Sequence, residues 1–190
     1  MAEPIRLELP LSSGATAGLR AGDAVLLSGP VFTARDATHE RLLGEVHRDG
    51  RLPYGLEGQT LFYAGPTPPM AGRPAGSIGP TTAKRMDFAT PELLRAGIVA
   101  TIGKGERSQE VVDACRETGA VYFAAVGGAA ALLATYVTDA RPVAYDDLGT
   151  EALVRLTLRE FPAFVAIDQR GGDLYRSASA SWRQTMGESE

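Results

Sequence analysis

Residues 98–136 read IVATIGKGERSQEVVDACRETGAVYFAAVGGAAALLATY, and their punctuation decides the fold. Ile98-Val99-Ala100-Thr101-Ile102 is a β-branched strand ended by Gly103-Lys104-Gly105. Ser108 then stands at the N-cap of a helix whose Val111, Val112 and Cys115 share one face, and Gly119 stops it. Residues 121–126 give a further strand. Gly127-Gly128 releases an alanine-rich helix over residues 129–136, whose small side chains permit close packing on a sheet. Strand, glycine turn and helix recur, which is the order of an α/β protein.

Upstream, Ala24-Val25-Leu26-Leu27-Ser28-Gly29-Pro30-Val31-Phe32 is a buried strand interrupted at Gly29-Pro30, where the backbone must turn or bulge. It delivers Arg35 and Asp36 to the strand's end. With Asp36 as N-cap, residues 37–48 place Leu42, Leu43 and Val46 among charges and close at Asp49-Gly50, an amphipathic helix. The next strand starts at Thr60, and a Pro/Gly-rich loop follows over residues 67–76. Thr90 and Pro91 read as N-cap and first position of a short helix. Downstream, residues 142–145, 153–156 and 163–167 read as three strands, the last turning at Asp168-Gln169-Arg170-Gly171-Gly172. The expectation is a single domain over residues 1–175 and a flexible tail over residues 176–190.

Composition narrows the function. A length of 190 residues with 44% hydrophobic content supports one buried core. Nineteen basic and 23 acidic residues are interspersed, so no basic stripe marks a nucleic-acid partner. The start Met1-Ala2-Glu3-Pro4-Ile5-Arg6 lacks signal-peptide character, and no apolar run approaches the ~18 residues of a membrane span, so the expected location is the cytoplasm, away from membranes. Cys115 is the single cysteine, which leaves no intrachain disulfide and no thiolate set for a cluster within this chain. His39 and His47 have no further ligand-type cluster beside them, and no metal site is expected.

The candidate chemistry is anion binding. If the segment from Thr82 onward is helical, Thr81 and Arg85 overlook its N-terminus, where free N–H groups and the dipole favour a carboxylate that Arg85 could grip through two hydrogen bonds. The plainer alternative is that Thr81 and Thr82 cap a helix and Arg85 is solvated. Lys104 stands between two glycines at a strand end, where a ligand can approach closely, although on local grounds a turn lysine in solvent is the simpler reading. Arg35-Asp36 reads as a cleft-facing cation or as a helix-start ion pair. Arg35, Arg85 and Lys104 all stand where elements end beside glycine turns, as a small dianion requires.

The succession Gly29-Pro30, Ala34-Arg35-Asp36, Tyr63-Ala64-Gly65-Pro66-Thr67-Pro68, Ile78-Gly79-Pro80-Thr81-Thr82 and Arg85-Met86-Asp87 resembles the β region of class I fumarases and tartrate dehydratases. The resemblance continues through Ile102-Gly103-Lys104-Gly105, Gly127-Gly128-Ala129-Ala130, Leu148-Gly149 with Glu151-Ala152, and Phe161-Pro162-Ala163-Phe164, covering about residues 15–175. It implies a swivelling β/β/α domain, a mixed sheet flanked by helices, that closes an active site against a separate α subunit. It implies a hydro-lyase acting on a small dicarboxylate, with a 4Fe-4S cluster held by α-subunit cysteines and an α2β2 assembly. By matching motif, Thr81 would be the proton-transfer residue and Arg35, Thr82, Arg85 and Lys104 would bind substrate. Lys84 departs from the glycine common before that arginine in fumarases. Fumarate/malate is the first expected substrate, then tartrate or mesaconate; a non-catalytic anion- or protein-binding domain is the other class.

Overall fold

The apolar run that starts at Ala24 is the strand on which the rest is organised. The computed structural model describes residues 3–12, 14–69 and 72–187. Among them, β1 (Ile5–Glu8), β2 (Ala24–Thr33), β3 (Thr60–Phe62), β4 (Ala100–Gly103), β5 (Val121–Ala124), β6 (Val137–Ala144) and β7 (Leu153–Ile167) form one sheet ordered β1-β2-β3-β4-β5-β7-β6. β1 to β5 are parallel, and β7 runs antiparallel to β5 and β6. β7 also pairs antiparallel with β2, from Ala24 opposite Phe164 to Phe32 opposite Arg155. Strands β2, β3, β4, β5 and β7 are therefore hydrogen-bonded into a closed ring.

The break foreseen at Gly29-Pro30 is a register shift between Leu27 and Gly29. It falls where β7 is also irregular: Glu160 has φ 50°, and its N–H donates to Ser28 Oγ at 3.0 Å. Gly29 itself has φ +116°, and a Cβ there would meet Leu9 O at 2.3 Å, so only glycine fits.

Both sheet faces are buried. Val25, Leu27, Phe62, Ile102, Phe123, Phe161 and Val165 form one core. Leu61, Tyr63, Tyr122 and Ile167 face the other way, against Leu42 of α1 (Asp36–Asp49), Leu93 of α2 (Thr90–Arg95) and Val111, Val112 and Cys115 of α3 (Gln109–Thr118). The period of two explains this: Leu61 and Tyr63 point to the helices and Phe62 to the opposite core. Each such large side chain contributes roughly 1.5–3 kcal/mol on full burial. This is the expected α/β class, a mixed sheet flanked by helices in β/β/α layers.

Four local expectations change. The three C-terminal strands are two: residues 142–144 end β6, while β7 runs unbroken through Pro162, opposite Leu26. The helix expected from Thr82 is one 3-10 turn, Ala83–Met86. The helix expected over residues 129–136 divides into α4 (Ala130–Leu133) and a 3-10 turn, Ala134–Tyr136. The Ser-rich stretch after Tyr175, in which no periodic pattern is legible, carries α5 (Leu174–Gly187). Among the described residues, no helix is long and apolar enough to cross a membrane.

Candidate active site

The candidate residues follow the C-terminal ends of the parallel strands, the side on which α/β sheets place ligands. Arg35 lies just past β2, Tyr63 just past β3, Lys104 just past β4, and Gly127-Gly128 beyond β5. The chain then crosses back between them. Ala64 bridges Pro80, and Thr81 donates both its N–H (2.7 Å) and its hydroxyl (2.9 Å) to Tyr63 O. Lys104 N–H donates to Thr81 O at 3.1 Å, Ala83 N–H donates to Lys104 O at 2.8 Å, and Thr82 bridges Lys104. Thr81, Thr82 and Lys104 are thus held side by side through their backbones.

These bonds correct the expected helix N-terminus. A single 3-10 turn whose leading N–H is already donated to Lys104 O cannot offer an array of free amides, and Thr82 makes no side-chain cap. Whatever anion affinity the region has rests on side chains.

Arg85 is half-exposed and forms a two-bond fork with Asp36: Nε to Oδ1 at 3.0 Å and Nη2 to Oδ2 at 2.7 Å. Arg35 Nη2 lies 3.4 Å from Glu151 Oε1. The other Glu151 oxygen accepts Ala37 N–H at 2.9 Å, serving the start of α1, where Arg35 supplies no side-chain cap. Gly65 lets Arg35 lie flat: a Cβ there would be 2.9 Å from Arg35 Nη1 and 2.7 Å from Thr150 O. Arg35 Nε is buried without a partner, a donor left over. Lys104 runs past Gly127, where a Cβ would stand 3.3 Å from its Cδ and 3.7 Å from its Nζ. Among the described residues, Lys104 enters no ion pair. Lys84 turns outward, 3.7 Å from Glu106.

The five residues are therefore linked: Arg85 through Asp36 to Arg35, Arg35 through Gly65 to the Tyr63 segment, and that segment through Thr81 to Lys104. Three cations and two carboxylates leave one positive charge in excess, with unspent N–H donors on both arginines. Such a set can hold small carboxylates. An apolar groove of about 400 Å³ adjoins it, lined by Pro66, Pro68, Pro142, Thr150 and Val154.

Buried groups support the site from below. Arg107 donates through Nε to Asp87 Oδ1 at 2.6 Å and through Nη2 to Thr90 Oγ1 at 2.8 Å, and Asp87 Oδ2 accepts Ser108 N–H. This pins the residue that ends the 3-10 turn carrying Arg85. His39 is fully buried, with its ring edge-on to Tyr63 at 5.0 Å. Burial pulls its pKa down to about 4, so the ring is neutral, and Nδ1–H donates to Arg35 O at 2.8 Å. Cys115 is buried in α3, and burial pushes its thiol up to about 12. A lone inert thiol cannot hold an iron–sulfur cluster, and among the described residues no three His, Cys, Asp or Glu side chains gather as ligands.

Sequence reasoning missed Asp36 as a partner of Arg85 and Glu151 as a partner of Arg35. Both stand in motifs quoted above, Ala34-Arg35-Asp36 and Glu151-Ala152, but only Asp36 carried a signal, its place beside Arg35, and that did not point to Arg85. Arg107 gave none.

Residues 2–178 match the family described as Fumarase C-terminus. The chain belongs to that family. This Fumarase C-terminus chain is 39% identical over 153 residues to the anaerobic class I fumarate hydratase of Escherichia coli (strain K12), covering 79% of its own length and 28% of that protein. It is 36% identical over 161 residues to fumarate hydratase 2 of Leishmania major, covering 84% and 28% respectively. The chain spans about 28% of the length of these two fumarate hydratases. A Methanocaldococcus jannaschii protein provisionally assigned as L(+)-tartrate dehydratase subunit beta matches at 34% identity over 90% of both chains. The family expected from the order of motifs is the family matched.

Proposed function

We propose that this Fumarase C-terminus chain is the β part of a hydro-lyase that adds or removes water across a small dicarboxylate, with fumarate/(S)-malate the first substrate. The observation that carries the reading is the joining of Arg35, Thr81, Thr82, Arg85 and Lys104 on one strand-end face, in a chain related to fumarate hydratases. The Methanocaldococcus relative, named as a subunit beta, supports a separate β chain that works with a partner subunit, and the assembly proposed for the pair is α2β2. The partner carries the 4Fe-4S cluster, toward which this chain has a single, buried cysteine, and it docks over the proline-lined groove.

In this reading Arg35, Arg85 and Lys104 hold the substrate carboxylates through charge-assisted hydrogen bonds. Thr82, beside Lys104, assists binding. Thr81 exchanges the proton at the carbon next to a carboxylate, and the fixed cations stabilise the charge that develops there. Its hydroxyl proton rests on Tyr63 O, which directs the oxygen lone pairs away from that carbonyl. A hydroxyl is a very weak base, so an ionised carboxylate of the partner must accept the Thr81 proton as the hydroxyl turns from Tyr63 O, and this chain alone is inactive.

Tartrate is the second substrate reading, favoured by the subunit-beta relative. The test is anaerobic co-expression with a cysteine-bearing α partner, followed by ultraviolet assays on malate, tartrate and a methylated dicarboxylate in parallel. Turnover that needs both chains is expected. An intact cluster with no turnover of any of them would leave a non-catalytic anion- or protein-binding domain.

A further inference from the structure

We infer that Asp36 is a positioning residue, setting the donor edge that Arg85 presents to substrate; the inference rests on the hydro-lyase reading above. A guanidinium has five N–H donors on two usable edges. The fork to Asp36 occupies the side edge, one N–H of Nη2 and that of Nε. Of the three that remain, one proton of Nη1 and the second of Nη2 form the end edge, a pair of parallel donors that matches a second carboxylate. The two partners are mounted unequally. Asp36 is the first residue of α1, a fourteen-residue helix, whereas Arg85 sits on a four-residue 3-10 turn. Arg85 is 51% exposed and Asp36 29%, so Arg85 has room to turn on its long stem once the fork is lost. The neighbouring cation does not compete for Asp36, because Arg35 is paired with Glu151. Among the described residues, Arg85 is the cation paired with Asp36.

A carboxylate in the first turn of α1 could instead serve the helix dipole alone. The two roles separate in a double-mutant cycle on the two-chain enzyme, with Asp36→Asn, Arg85→Ala and the double variant, and with Asp36→Glu as the conservative rescue. Positioning predicts a fall in kcat/KM of about tenfold or more for Asp36→Asn, partial recovery with Asp36→Glu, and no further loss when Asp36→Asn is added to Arg85→Ala. In the full chain alone, the Nε–H resonance of Arg85 is slow to exchange in the parent and lost in Asp36→Asn. A helix-dipole role predicts a lower Tm with kcat/KM unchanged, or equal fractional losses in both backgrounds; either result overturns the inference while leaving the hydro-lyase reading intact. A parent enzyme that turns over no dicarboxylate removes that reading, and the inference with it.

Discussion

Arg107 and Asp87 meet at 2.6 Å in the interior, with the guanidinium carbon 5.2 Å from the centre of the Tyr63 ring and 4.9 Å from that of Tyr122. The pair joins the start of α3 to the turn that carries Arg85, so folding energy and site geometry depend on the same contact. Removing one partner leaves a buried charge unpaired. Asp87→Ala is expected to cost about 3–5 kcal/mol in urea denaturation.

His39 makes stability depend on pH. The folded chain takes up its proton only near pH 4, because burial disfavours the charged ring, whereas an unfolded histidine does so near 6.5. The contribution of neutral His39 is complete above about pH 6.5 and is lost as pH falls toward 4, on the order of 3 kcal/mol in total. Denaturation at pH 7 and pH 4.5 should show a smaller difference in His39→Gln than in the parent.

Cys115 should resist thiol reagents. With its thiol pushed up to about 12 and its side chain covered by α3 and the sheet, it is neither ionised nor reachable at pH 8. A chromogenic disulfide reagent is expected to label it only after denaturant is added. Rapid labelling of the native chain would contradict the packing of α3.

Gly127→Ala tests Lys104 directly. The added Cβ falls 3.3 Å from Lys104 Cδ, a flexible side chain, so the lysine shifts and the fold does not. The expected outcome is a Tm close to that of the parent and a loss of about 1 kcal/mol or more in kcat/KM in the two-chain enzyme. Gly79→Ala differs: its Cβ would stand 2.9 Å from Ala130 Cβ, and stability should fall as well.

Elements whose causes are local were legible in the sequence. Gly119 and Gly50 end α3 and α1 in the left-handed conformation, as read from the glycines alone, and Gly29-Pro30 marks the bulge. Residues 153–156 and 163–167 read as separate strands, yet β7 joins them and runs through Pro162, with Leu26 opposite. The 3-10 turn at residues 83–86 was hidden for another reason: what shapes it is Lys104 O and the Asp87–Arg107 pair, which lie later in the chain. The site's cations were legible because they stand at glycine turns. The pairings with their carboxylate partners were not, since Asp36 lies 49 residues from Arg85, and Glu151, in the 3-10 stretch before β7, is farther still from Arg35 along the chain.

The ring formed by β2, β3, β4, β5 and β7 also sets an order of events. Strand β2 precedes β7 by more than a hundred residues, yet the two share one long antiparallel ladder from Ala24 to Phe32. Until residues 153–167 are available, β2 has an open hydrogen-bonding edge, and the core around Phe62 and Phe123 lacks Phe161 and Val165. The strand that leads to Arg35 therefore waits on the strand that closes the barrel. A nascent chain halted before residue 153 carries Arg35, Thr81, Arg85 and Lys104, but lacks the strand that would seal the structure presenting them.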